Sequence, residues 1–96
     1  MLTLTIKKKW FDMILSGEKK EEYREIKPYY DTRFRNVWSY PAYWNETHTI
    51  RFRNGYSKDS PSFVAEASLE INTGKPKWGA EEGKKYYVLK IQEVIK

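Results

Sequence analysis

From Ser62 to Asn72 the chain alternates with a period of two. Phe63, Ala65, Ala67, Leu69 and Ile71 fall on one side, and Ser62, Val64, Glu66, Ser68, Glu70 and Asn72 on the other. That period belongs to a β-strand with one face turned to a core. Such a strand needs neighbours, and the sequence supplies them on both sides. In Thr49 to Arg53, Ile50 and Phe52 point one way and Arg51 and Arg53 the other, before Asn54-Gly55 signals a turn. Lys85 to Ile95 is the last strand, with Tyr87, Leu89 and Ile91 on one face, and Gly74, Pro76 and Gly79 separate it from the second. Three successive strands joined by turns predict a mostly antiparallel sheet.

The first half mixes periods. Leu2 to Ile6 alternates as a half-buried strand. Trp10, Met13 and Ile14 share a helical face with Phe11 and Leu15 beside them, which predicts a helix over Lys8 to Ser16. Gly17 fits the left-handed residue that closes it. Trp10 is expected to be buried, so its replacement by alanine should cost about 3–5 kcal/mol. Glu18 to Ile26 reads as a strand. Pro28 opens a short helix to about Arg35, and Ser39 to Glu46 reads as an aromatic-rich loop. The order is β-α-β-α-β-β-β. The fold class is α+β, a small barrel of about five mostly antiparallel strands with two or three short helices. At 96 residues, positions 1–96 suit one domain.

Lysine and arginine number 18 against 13 acidic residues, a net charge of +5, which favours polyanionic partners such as RNA. There is no cysteine, so neither disulfide nor thiolate chemistry is available. His48 is the single histidine, on the same face as Ile50 and Phe52, and is read as a core or edge residue rather than a catalyst or metal ligand. No metal and no cofactor is expected. No apolar run nears the ~18 residues of a membrane span. Met1 to Thr5 lacks the basic and apolar regions of a signal peptide, so a cytoplasmic location is expected, with no membrane partner.

Against this background stands Gly17-Glu18-Lys19-Lys20-Glu21-Glu22-Tyr23-Arg24, dense in both signs of charge beside an apolar helix. In a regular strand Glu22 and Arg24 share a face. Lys19 joins them if it lies in the turn after Gly17 or if a bulge re-aims it. A solvated edge strand is the alternative use of such charges.

Gly17, Lys19, Glu22 and Arg24 spell G-x-K-x-x-E-x-R. The octet resembles the signature of the ASCH domain family, relatives of the PUA RNA-binding fold. Trp10 to Gly17 is similar to that family's first helix. Asn54-Gly55-Tyr56, Pro76-Lys77-Trp78-Gly79 and Tyr86 to Lys90 resemble its small, often phage-encoded members. The resemblance implies a PUA-like barrel with a cleft between barrel and helices, lined by the motif and open to RNA or a nucleoside. It leaves Lys19 to meet the ligand, so Lys19→Ala should abolish binding with little loss of fold. One enzymatic branch removes the acetyl group from N4-acetylcytidine, with a threonine where this chain has Glu22 and a glutamate from a later strand; other members are ribonucleases.

Three functions follow as expectations. The leading one is RNA or nucleotide binding, with Lys19, Glu22 and Arg24 in the cleft. Arg51 and Arg53 would contact phosphates, Tyr40 and Trp44 would stack on bases, and Tyr56 would cover the cleft. The second is a small hydrolase, amidohydrolase or ribonuclease, with Lys19 and Glu22 handling protons and Glu66 as the second acid. The third is a protein-interaction module centred on the aromatic loop.

Overall fold

A computed structural model describes residues 1–39 and 41–95. Tyr40, expected to stack on a base, lies outside them. The elements in chain order are β1 (Leu2–Thr5), α1 (Lys8–Leu15), β2 (Glu21–Arg24), α2 (Pro28–Trp38), β3 (His48–Arg53), β4 (Ser62–Thr73) and β5 (Lys85–Ile95), with single 3₁₀ turns at Pro41–Tyr43 and Pro76–Trp78. The order read from the sequence holds. The main differences are a shorter β2 and a second helix that runs three residues past Arg35. Phe34 and Trp38 explain the extension. Tyr30, Phe34 and Trp38 recur every four residues, and their rings form a continuous row with centroids 5.8 and 6.1 Å apart. A buried aromatic stripe at that spacing carries a helix past its weak local propensities.

The five strands form one mixed sheet in the order β1-β3-β4-β5-β2, curled into a half-barrel. Among the described residues, β1 and β3 pair in parallel and the other three pairings are antiparallel. The curl is visible in one bond. In a flat sheet the outer strands would lie four spacings apart, roughly 19 Å. Here Arg24 on β2 reaches the carbonyl oxygen of Thr5 on β1 at 3.0 Å. A bulge between β4 and β5 contributes to the bend. Glu66 faces Glu93 but Ala67 faces Ile91, which leaves Gln92 as the extra residue.

Ile50, Phe52, Ala65, Ala67 and Leu89 are fully buried on the concave face, where Phe11 and Ile14 of α1 and Phe34 and Trp38 of α2 cover them. The buried face of α1 is thus centred on Phe11 and Ile14. Trp10 is only half-buried, so the full cost expected for its truncation does not apply. Ile71, placed on the core face by its alternation, is exposed, because β4 outruns the helices that cover it.

The convex face has a smaller core of Ala80, Tyr86 and Val88, with Tyr23 against it. The segment between β4 and β5 is tied there by two tyrosines. Tyr23 accepts the Lys75 N–H at 2.9 Å, and Tyr86 accepts the Glu81 N–H at 3.0 Å. This explains why Tyr86 to Leu89 is buried on both faces.

Candidate nucleotide-binding groove at the barrel seam

Gly17 begins the site. Its positive φ of 88° turns the chain back beneath α1, a conformation glycine adopts without steric cost. The Gly17 N–H bonds the Ile14 carbonyl at 3.0 Å, and the Lys19 N–H bonds the Met13 carbonyl at 2.9 Å. The Lys20 carbonyl then accepts the Ile91 N–H, and β2 starts at Glu21. Lys19 therefore sits in the turn, the first of the two arrangements that bring it to Glu22.

The β2–β5 register fixes the rest. Glu22 is opposite Leu89 and Arg24 opposite Tyr87, so both charged side chains share the concave face with core residues. Tyr23, opposite Val88, faces the other way. A strand that alternates charge with aromatic turns its charges inward here, because its outward tyrosine has a core of its own.

Inside, the charges form a chain. Lys19 Nζ is 2.5 Å from Glu22 Oε1, and Glu22 Oε2 is 2.7 Å from Arg24 Nη2. The same Nη2 donates to the Thr5 carbonyl, and Arg24 Nη1 donates to Tyr30 Oη at 3.3 Å. Lys19 is 1% exposed and Glu22 6%. The Lys19 ammonium also lies 4.4 Å from the centroid of the Trp10 ring, a cation–π contact that strengthens as water is removed.

Burial pushes the Lys19 amine below its ordinary value; attraction to Glu22 opposes the shift and Arg24 adds to it. For Arg24 burial also pulls downward, but the Glu22 carboxylate and the bonds to Tyr30 and Glu22 outweigh it and hold the guanidinium above its usual value. Among the described residues, Arg24 Nε is buried and finds no hydrogen-bond partner. A buried donor left open costs free energy that an incoming acceptor would recover.

Two chambers meet over this chain. The first, of about 460 Å³, is lined by Glu22, Arg24, Trp10, Tyr30, Gly79 and Lys84 among others. The second, of about 690 Å³, shares Thr5, Ile6, Lys7, Arg24, Lys27 and Tyr30 with it and continues past Tyr29 and Arg33 to Tyr56. The groove lies where β1 and β2 fail to close the barrel, between the first turns of α1 and α2. Lys19 is not on its wall. It stands behind Glu22 and Trp10 and touches both. Its burial also removes the expectation that alanine there would spare the fold.

The remaining candidates divide. Tyr56, 93% exposed, stands at the far end of the second chamber. Arg51, Arg53 and Glu66 do not join the groove. The β3–β4 register pairs Arg51 with Val64, Arg53 with Ser62 and Thr49 with Glu66, all on the convex face. Arg51 bonds Ser62 Oγ at 3.0 Å, and Glu66 accepts from Thr49 Oγ1 at 2.7 Å. Glu66 is therefore not placed as a second acid beside Lys19 and Glu22. Trp44 is folded onto the core with its ring 6.2 Å from that of Tyr87, and its carbonyl accepts the Leu69 N–H. It lines a separate pocket of about 300 Å³ with Asp31, Arg35 and Tyr87. Among the described residues, no three histidine or carboxylate side chains gather as a metal site would require.

Sequence reading missed Tyr30, Lys7, Lys27 and Arg33. Lys7 directly precedes α1, Lys27 and Tyr30 flank Pro28 at the start of α2, and Arg33 lies a turn further along it, a grouping visible only once β1 and β2 are known to be neighbours across the seam. Compared with protein-family models, with curated proteins and with solved structures, the chain matches none.

Proposed function

We propose that the protein binds a nucleotide or nucleoside unit of RNA in the seam groove. The observation that carries this reading is the Glu22–Arg24 pair at the floor of an aromatic-walled groove. An ionised carboxylate only accepts hydrogen bonds and a guanidinium only donates them. Side by side, they complement the mixed donor and acceptor edge of a base. Tyr30 and Trp10 line the chamber with aromatic surface, and Lys7, Lys27 and Lys84 supply charge for phosphate. The resemblance to ASCH domains agrees with this use of the same motif. Lys19 acts as a positioning residue, holding the Glu22 carboxylate in place through the contact to its Oε1.

An amide NMR titration with the four ribonucleoside monophosphates tests the reading. Shifts should concentrate on Thr5 to Trp10, Glu22 to Arg24 and Tyr30. Shifts confined to the convex face around Arg51 and Glu66, or none at millimolar ligand, would refute it.

A second reading is a hydrolase of a modified nucleoside or of RNA. It is favoured by Glu22, a buried carboxylate on the groove wall that could act as general base toward a water. N4-acetylcytidine and a mixed RNA pool, incubated separately with the protein and followed by mass spectrometry, address it. Turnover abolished by Glu22→Gln would support catalysis; intact substrates would leave binding as the function.

A further inference from the structure

The two chambers differ in charge. The narrower one carries Glu22, Glu25 and Glu81 together with its cations. The wider one is lined by Lys7, Arg24, Lys27 and Arg33 and by no carboxylate. Arg24 is committed to Glu22, but among the described residues Lys7, Lys27 and Arg33 meet no acidic group. Three cations without an acidic partner lining one chamber hold phosphate more readily than a neutral or cationic ligand.

The same chamber is also aromatic. The Arg33 guanidinium carbon lies over the Tyr29 ring, 3.4 Å from its centroid, and the guanidinium donates to the Tyr29 carbonyl at 3.0 Å. Those bonds hold a planar cation and a ring together at the chamber's edge. Tyr56, on the turn after Gly55, lines the same chamber and is 93% exposed. An exposed tyrosine and a held guanidinium–tyrosine pair lining one chamber offer planar surfaces on which a base can stack. A bare phosphate tail would use the cations and leave both rings idle.

We propose that the wider chamber is a second nucleotide subsite, so that the groove takes a single-stranded polynucleotide rather than a free nucleotide. The inference rests on the seam groove being the nucleotide site. One base lies against Glu22 and Arg24, the linking phosphodiester passes Lys7 and Lys27, and the neighbouring base stacks against Tyr56 and the Tyr29–Arg33 pair.

Competition binding separates the outcomes, using ribonucleoside monophosphates, ribonucleoside triphosphates and a short single-stranded oligoribonucleotide on wild type and Tyr56→Ala. Tyr56 is exposed, so the variant should fold, and its thermal melt should overlay wild type. The oligonucleotide should bind roughly tenfold or more tighter than any monophosphate. Tyr56→Ala should remove about that factor from the oligonucleotide alone, the scale of one base–aromatic stack. Equal affinity for monophosphate and oligonucleotide would overturn the second subsite and leave the seam reading standing. A triphosphate as tight as the oligonucleotide and indifferent to Tyr56→Ala would show that the chamber holds a phosphate tail, which also overturns it. Binding of none of the three would remove the seam reading itself.

Discussion

Arg24 of β2 donates through Nη2 to the carbonyl oxygen of Thr5 in β1 at 3.0 Å, joining the two outer strands of a sheet whose order places them at opposite ends. The same nitrogen pairs with Glu22 at 2.7 Å. One guanidinium thus closes the half-barrel and fixes the carboxylate at the groove floor. Replacing Arg24 with methionine keeps much of the bulk but leaves Glu22 one counter-charge short. Breaking a buried pair from one side costs about 3–5 kcal/mol. Urea unfolding of Arg24→Met should show a loss near the lower figure, since Lys19 still holds the other carboxylate oxygen. A change below about 1 kcal/mol would mean that the seam is held by the helices and not by this bridge.

Lys19 calls for a double-mutant cycle. Lys19→Met removes a buried ammonium and leaves Glu22 with Arg24 alone, at an expected cost of about 3 kcal/mol. Glu22→Gln removes the carboxylate and leaves the ammonium buried beside Trp10, again destabilising. Together the two changes remove both halves of one pair. The double variant should therefore be more stable than the sum of the single losses predicts, by on the order of 1–3 kcal/mol. Simple additivity in urea unfolding would show that the 2.5 Å contact carries no coupling.

The sheet was legible in the sequence wherever the period of two was backed by a one-sided core. β4 reads almost residue for residue because Phe63, Ala65, Ala67 and Leu69 all face inward. The helix over Lys8 to Leu15 reads equally well, although its buried centre is Phe11 rather than Trp10. The motif residues were found in sequence, and Lys19, Glu22 and Arg24 do converge. Their neighbours were not found, because local pattern does not say which strands meet across the seam. Arg51 and Arg53 look like phosphate ligands while the position of the cleft relative to the two faces of β3 is open. Once Ile50 and Phe52 line the concave side, the arginines must point away from the groove. Tyr30 and Lys27 look like helix-start residues until α2 is seen to lie across the seam.

Alkaline pH probes the packing of α2. Tyr87 donates to Asp31 Oδ1 at 2.5 Å, and burial, then this bond and the charge of Asp31, push its hydroxyl from 10.0 up to about 12. A raised folded value means that the neutral form is the one the fold prefers. The stabilisation is fully present below the unfolded value and is lost as pH rises through the folded one. Lys19, with its folded value lowered, acts in the opposite sense: its contribution is complete above the ordinary lysine value and falls away as pH drops through the folded one. A comparison with Tyr87→Phe cancels that term. Between about pH 9 and about pH 12 the wild type should lose about 2 kcal/mol more than Tyr87→Phe does. Parallel pH profiles of unfolding free energy would show that the tyrosine titrates as it does in solvent.

Gly79 is the remaining constraint on the groove. It closes the 3₁₀ turn with φ 103°, a conformation that side chains with a β-carbon rarely adopt. A methyl group there would also stand 3.0 Å from Trp10 Cζ2, tighter than ordinary contact, and the indole lies against Lys19 and cannot retreat without disturbing it. Gly79→Ala therefore combines backbone strain with pressure on a groove wall. The strain is on the order of 1–3 kcal/mol, and a melting curve should register it. The displaced Trp10 should weaken nucleotide binding as well, because Gly79 and Trp10 line the same chamber. Lost stability with unchanged affinity would place the nucleotide entirely toward Tyr30, on the α2 side of the seam. Unchanged stability would show that the turn relaxes to a negative φ and that its approach to Trp10 is not required by the fold.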